Sequence, residues 1–326
     1  MDNDYLVFLQ EVGLDEKAVN DAYSLVTDVL PRYEDDPYEI RDSAIHGLGV
    51  ALTRAQAKDT YAGTLRVGDT WTEAGRYMNH SATPNTYLVQ NGQFIDILLA
   101  ESISEGEELT VDYRDVRKLL VRESRGIITA DNFSPRLADV IASAYESGFS
   151  AWTPNKGAVG SSYYAGMNFQ GYHALMIKEL IRLVGCPIVP NSMFFRVTNE
   201  DTEQAYIHSD RESGSHTCVV YLSDHDTPSG TAFYKHLPTG MIEMPSFAEM
   251  QEMGIFDQMS KDMVSRDPES WEQLDYVEGK YNRALIFHAP LFHSRYPIHG
   301  IGKTEEEGRL VWVCHFFKIN GRGELY

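Results

Sequence analysis

The chain has 326 residues, 43% of them hydrophobic and 23% charged, with a formal net charge of −20 at neutral pH. That length and apolar content suffice for two domains with their own cores. An acidic surface of this size repels phosphate, which argues against unspecific binding to nucleic acid or an anionic membrane and favours a basic or neutral partner.

The cysteines Cys186, Cys218 and Cys314 are odd in number, and two lie in apolar, strand-like runs. They read as reduced, buried thiols of a cytoplasmic compartment rather than a disulfide frame. The first residues carry no basic-then-apolar leader, and no apolar run approaches the length of a bilayer span, so the expectation is a soluble, intracellular protein.

Residues 1–40 predict a helical, acidic segment. Leu6, Phe8, Leu9, Val12 and Leu14, then Val19, Ala22, Tyr23, Val26 and Leu30, recur at mixed three- and four-residue spacing, an amphipathic stripe that Pro31 ends.

Residues 41–118 change character. Ser43 to Ala51 predicts a strand with a turn at Gly47 and Gly49. Two further blocks follow: Gly75 to Asn85, containing Arg76, Asn79, His80, Ser81 and Pro84, and Ile103 to Tyr113, containing Gly106, Glu107, Glu108, Asp112 and Tyr113. In this order the three blocks resemble the SET domain of protein lysine methyltransferases. The resemblance implies an S-adenosylmethionine site lined by Gly47, Gly49, Asn79 and His80, and Tyr113 beside a lysine channel where a phenol can orient the amine. It also implies a knot in which Asn79–Ser81 threads beside the Glu108–Tyr113 strand. His80 has a second reading, as a histidine holding two loops together. Only 26 residues separate Gly49 from Arg76, where the family carries a further subdomain that walls the substrate channel. The expected module is therefore folded but weak or silent as a methyltransferase.

Residues 119–326 predict a third region. Ser134–Pro135 has the form of an N-cap with proline at the first helical position, Leu137, Val140, Ile141, Ala144 and Tyr145 form an apolar face, and Gly148 stops the helix. A second helix spans Tyr172 to Val184 and closes at Gly185, and residues 150–170 between them predict a loop near the site. Gln204–His208, Cys218–Leu222, Thr231–Tyr234, Asn282–Phe287 and Arg309–Phe317 predict strands, with a turn containing Gly230 between the second and third.

His208 and Asp210 lie two positions apart, so in a strand both point to one face while Ser209 points away. An imidazole from a later strand, His293, completes a face of two histidines and one carboxylate. Three positions stay open, an arrangement that suits non-haem Fe(II) and oxygen chemistry. With Tyr221–Leu222, Gly230, Asn282–Arg283, Phe287, Ser294 and the late Arg309, the set resembles the Fe(II)/2-oxoglutarate-dependent oxygenases, in their prolyl-hydroxylase-like branch, over about residues 190–318.

The resemblance implies metal ligation by His208, Asp210 and His293 and 2-oxoglutarate held by Arg309, whose planar guanidinium can take a carboxylate with two parallel hydrogen bonds. Tyr221 has two readings, a hydroxyl for the same carboxylate and a core tyrosine. Arg309 follows His293 by 16 positions, further than the family places it, with a loop from Tyr296 to Gly308 absorbing the excess. Arg295 is the competing basic residue, too close to His293 to come from a following strand. Residues 238–280 predict a helical insert. It carries a capping box at Ser246 to Glu249 and a stripe of Met244, Met250, Met253, Met259 and Met263, which reads as core filler or as a helical lid.

The expected fold is mainly β with helices: a SET-like domain, then a double-stranded β-helix (jelly-roll) with helical support. The expected function is Fe(II)- and 2-oxoglutarate-dependent hydroxylation of a protein side chain or small substrate, with S-adenosylmethionine as a further candidate cofactor. The alternatives are a SET methyltransferase with a degenerate oxygenase half and a non-catalytic peptide-binding protein.

Overall fold

The computed structural model describes residues 3–25, 28–146, 149–152, 162–165, 172–200, 207–224, 228–265, 268–297, 300–304 and 306–325. The chain divides into two compact units, Met1–Ser124 and Arg125–Tyr326, and is mixed α+β dominated by strands.

The first unit runs α1 (Asn3–Glu11), α2 (Glu16–Leu25), β1 (Tyr38–Asp42), β2 (Leu48–Leu52), β3 (Tyr61–Val67), β4 (Thr70–Trp71), α3 (Glu73–Tyr77), β5 (Asn79–His80), β6 (Thr86–Asn91), β7 (Phe94–Leu99), β8 (Glu108–Val111) and α4 (Tyr113–Ser124). The N-terminal stripe is not one helix. Gly13 takes φ +69°, a left-handed conformation that ends α1 before α2 begins. The Ser43–Ala51 segment is likewise not one strand: β1 and β2 form a hairpin around a turn in which Gly47 takes φ +54°. Two four-stranded sheets result, in orders β1-β2-β8-β5 and β4-β3-β7-β6. They enclose a core that includes Tyr38, Val50, Leu52, Ile97, Leu99 and Leu109. Among the pairings, β5 runs parallel to β8, with Asn79 opposite Thr110 and His80 opposite Val111.

The second unit runs β9 (Ile128–Ala130), α5 (Leu137–Glu146), β10 (Ser150–Trp152), β11 (Ser162–Ala165), α6 (Tyr172–Val184), β12 (Ile188–Thr198), β13 (His216–Tyr221), β14 (Gly230–His236), α7 (Phe247–Glu252), α8 (Phe256–Ser265), β15 (Trp271–Glu278), β16 (Ala284–His288), β17 (His293–Tyr296) and β18 (Arg309–Lys318). These form a seven-stranded sheet, β10-β11-β12-β18-β13-β16-β9, and a three-stranded sheet, β15-β14-β17, with antiparallel pairings throughout.

The two-residue period of β18 sorts its side chains. Leu310, Trp312, Cys314 and Phe316 pack against a layer that includes Val140 of α5 and Met176 and Leu180 of α6. Val311 and Val313 face the other way, into a core shared with Phe233 of β14 and Val277 of β15. The larger sheet is thus apolar on both faces, which explains the nearly unbroken apolar run of β18. It is the jelly-roll arrangement of two facing antiparallel sheets with helices behind the larger one.

Two expectations are corrected here. The predicted loop at 150–170 contains strands β10 and β11, which extend the larger sheet at its edge. The helical insert ends before β15, so Trp271–Glu278 is a strand of the smaller sheet. Of the two readings of its methionine stripe, core filler is the one Met250 and Met259 follow. Met250 and Met259 are buried with Ala232, Tyr234, Trp271 and Phe292, on the face of β14 opposite Thr231 and Phe233. The capping box does form, with Ser246 accepting from Glu249 N and Glu249 reaching back to Ser246 N. The stop expected at Gly148 and most of the strand expected at 204–208 lie outside the described residues. Cys218 and Cys314 are opposite each other in the β13–β18 register, buried and unbridged. Among the described residues no helix is long and apolar enough to cross a membrane.

Candidate metal centre

His208 meets His293, the first residue of β17, through an isolated antiparallel bridge, and their ring centroids are 4.4 Å apart. The His208–Asp210 pair does not sit on a continuous strand as its spacing suggests. Asp210 takes φ −95° and ψ 15° at the start of a short 3-10 turn, Arg211–Ser213, its N–H donating to the Ala289 carbonyl. The bend still delivers the carboxylate: His208 Nε2 lies 3.7 Å from Asp210 Oδ1, and His293 Nε2 lies 3.3 Å from Asp210 Oδ2. One ligand atom from each of His208, Asp210 and His293 lies within 4.8 Å of the others, the only such group among the described residues. Two imidazole nitrogens and a carboxylate oxygen are the donor set that suits a divalent iron with open positions. His293 Nδ1–H donates to the Leu291 carbonyl at 2.9 Å, which leaves the Nε2 lone pair for a metal.

Burial of the Asp210 carboxyl by itself would raise its pKa, yet the group is held well below the usual carboxylate range. The imidazoles of His293, His315 and His208 around it, which stabilise the ionised carboxylate, outweigh desolvation. His315 and Thr217 are the neighbours that sequence reasoning missed. His315 Nε2 lies 3.4 Å from Asp210 Oδ2, and Thr217 Oγ1 donates to the same oxygen at 2.9 Å. The available signal was parity: His315 follows Arg309 by six positions on one strand, so both side chains leave the same face.

Arg309 is buried, its guanidinium 5.3 Å from the centre of the Tyr221 ring, with Nη2 donating to the Gly230 carbonyl at 3.3 Å. The Tyr221 hydroxyl pairs with Thr231 Oγ1 at 2.8 Å, and burial pushes the phenol pKa up, so it stays a neutral O–H. A side chain at Gly230 would put its Cβ 2.1 Å from the Val277 carbonyl, so this close strand crossing requires glycine. In register, His293 lies opposite Phe233 and Arg295 opposite Thr231. The step from Phe233 to Thr231 is two residues, about 7 Å along the strand. Arg295, set aside on sequence spacing, belongs to the same end of β14.

The SET-like residues are brought together in the first unit. Asn79 Nδ2 donates to Ser43 Oγ, Glu108 Oε1 and the carbonyls of His46 and Leu48, which ties the Gly47–Gly49 turn to β5 and β8. A Cβ at Gly49 would meet Glu108 Oε1 at 2.3 Å. His80 does hold segments together: its Nε2 is 2.8 Å from Asp4 Oδ2, and its Nδ1 accepts from Tyr113 N at 3.2 Å. The Tyr113 hydroxyl donates to the Met78 carbonyl, and its ring packs against Tyr5, Phe8 and His80.

Among solved structures, the chain is similar to the non-heme alpha ketoglutarate dependent epimerase SnoN from nogalamycin biosynthesis, at 15% identity and a TM-score of 0.39, over 64% of this chain and 84% of that one. It is also similar to HygX from Streptomyces hygroscopicus with nickel and 2-oxoglutarate bound, at 14% identity and a TM-score of 0.38, over 61% of this chain and 85% of that one. A third is AviO1 from Streptomyces viridochromogenes Tue57, at 14% identity and a TM-score of 0.37, over 61% of this chain and 94% of that one. No curated protein matches the chain. The SET domain family matches residues 16–114. The family described as DUF6445, a family of unknown function, matches residues 116–315, more than half of the sequence, and the chain belongs to that family.

Proposed function

We propose that the Arg125–Tyr326 unit is a non-haem Fe(II)- and 2-oxoglutarate-dependent oxygenase that hydroxylates a C–H bond of a protein side chain or a small substrate. The observation that carries this reading is the convergence of His208, Asp210 and His293 within 4.8 Å, in a unit that also buries Arg309 against Tyr221. When bound, the metal supplies oxygen activation: one atom of O2 enters the substrate C–H bond, the other enters succinate, and 2-oxoglutarate loses CO2.

The chain's own residues bind and orient. His208, Asp210 and His293 hold the metal on one side and leave the opposite side to ligands. Arg309 takes the remote carboxylate of 2-oxoglutarate through charge-assisted hydrogen bonds, and Tyr221, fixed by Thr231, adds a neutral donor. Val219, Phe233, Leu285 and Phe287 belong to the apolar core that also holds Tyr221, and Phe233 and Phe287 pack against the His293 ring. The net charge of −20 favours a basic or neutral substrate over a phosphorylated one. Incubation with Fe(II), ascorbate and 2-oxoglutarate tests the reading. The expected result is O2-dependent release of succinate that Asp210→Ala abolishes. Succinate release that survives Asp210→Ala, or none from metal-loaded wild type with or without basic peptides, would sink it.

A further inference from the structure

The two oxygens of Asp210 are not equivalent. Oδ1 faces His208 at 3.7 Å. Oδ2 accepts from the Thr217 hydroxyl at 2.9 Å and lies 3.4 Å from His315 Nε2, as well as 3.3 Å from His293 Nε2. Thr217 and His315 are opposite each other in the β13–β18 register, and His315 is opposite Ser192 in the β12–β18 register. The three side chains therefore form a row across adjacent strands of the larger sheet that ends on the carboxylate. Ser192 Oγ is 2.6 Å from His315 Nδ1. If the serine hydroxyl donates there, the single proton of a neutral imidazole lies on Nε2, directed at Asp210. A carboxylate oxygen offers two lone pairs, and Thr217 and His315 are the two groups placed to donate to Oδ2, since His293 spends its Nδ1–H on the Leu291 carbonyl.

We infer that His315, oriented by Ser192, is a positioning residue of the metal centre: with Thr217 it occupies Asp210 Oδ2, so that the carboxylate presents Oδ1 alone to the metal. This rests on the metal-centre reading above and extends it to residues outside the ligand set. The physical consequence is rigidity. A carboxylate with both oxygens at liberty can rotate or bind through both, consuming a position that the dicarboxylate or oxygen needs. A carboxylate pinned through one oxygen cannot. Partners of metal ligands at this remove commonly govern affinity by about 10–100-fold.

The test is Co(II) titration of the full-length protein, followed by calorimetry and by the visible d–d absorption, which reports coordination geometry without turnover. His315→Leu is expected to weaken Co(II) binding by about 10–100-fold and to change the d–d bands. His315→Gln, which keeps an N–H donor, should restore most of both, and Ser192→Ala should move both in the direction of His315→Leu. Unchanged affinity and spectrum in a His315→Leu protein with native circular dichroism would overturn the proposal. An unchanged Ser192→Ala beside a weakened His315→Leu would remove Ser192 from it. Wild type that takes up no Co(II), or takes up Co(II) equally after Asp210→Ala, would instead refute the metal-centre reading, and the proposal with it.

Discussion

His208 and His293 exchange both of their backbone hydrogen bonds, N–H to O at 3.0 and 2.9 Å in the two directions. Residues paired this way stand side by side across an antiparallel bridge. The two imidazoles are therefore set by main chain rather than by a flexible loop, and only the carboxylate must be added to complete a ligand face. The preceding residues 201–206 lie outside the described part of the chain, but from His208 onward the bridge fixes the site.

Asp210 is the one carboxylate in the group formed with His208 and His293 among the described residues. Asp210→Ala should leave the fold intact and abolish tight divalent metal binding and metal-dependent consumption of 2-oxoglutarate. Metal content after dialysis and release of labelled CO2 check it together. Zinc or manganese in place of iron during purification would agree with the expectation, because divalent ions at such donor sets follow availability.

Arg309→Met should raise the Michaelis constant for 2-oxoglutarate by roughly ten- to a hundredfold, the loss of a charge-assisted partner costing about 1.5–3 kcal/mol. Turnover at saturating cosubstrate should fall far less, because the metal ligands are untouched. A wild-type Michaelis constant would move the role to Arg295, which faces Thr231 in the neighbouring strand pair.

Tyr221, His293 and Arg309 sit on strands whose pattern was readable in the sequence, whereas His208 and Asp210 were found by spacing alone, since the structure puts them on an isolated bridge and a bend. Tyr221 ends and Arg309 begins a nearly unbroken apolar run, and the two runs pair in the structure. His315 was hidden in plain view: within Val311 to Phe317 it reads as one more residue of a buried strand, and only the Thr217 register reveals its partner. Met250 and Met259 follow the core-filler reading, but the sequence left the lid open for a related reason. Helical spacing fixes which side chains share a face but not which face of β14 they cover, and that is decided by Trp271 and Phe292. The break between α1 and α2 was written in Gly13, but the apolar residues on either side continue with helical spacing and masked it.

Stability should depend on pH through His216. Burial, helped by the positive Lys318 and by His288, lowers its pKa to about 3 in the folded state. An unfolded chain holds that imidazole near 6.5. Below about pH 6.5 the unfolded state binds a proton that the folded state refuses, so the stabilisation is complete above that pH and is lost as pH falls toward 3, with a slope approaching ~1.4 kcal/mol per pH unit. Urea unfolding of wild type and His216→Phe at pH 7.5 and 4.5 measures it. The acid-induced loss should be smaller in the variant, though not absent, since burial also lowers His288. Equal losses in the two proteins would show that another group governs the acid limb.

The SET-like unit should bind S-adenosylmethionine weakly, if at all, and transfer no methyl group. Catalysis of methyl transfer needs the amine held in line with the methyl carbon, and two features work against that. The 26 residues between Gly49 and Arg76 leave little chain to wall a channel. The residues that would serve it are also engaged: Asp4 of α1 pairs with His80 and Arg114, Glu11 pairs with Arg114, and Tyr5 and Phe8 cover the Tyr113 ring. The Tyr113 hydroxyl is spent on the Met78 carbonyl. Calorimetry with S-adenosylmethionine should give no saturable heat in the micromolar range, and labelled methyl should not reach histone-like or other basic peptides. Micromolar binding together with methyl transfer that Tyr113→Phe impairs would overturn this expectation and make the chain a two-activity enzyme.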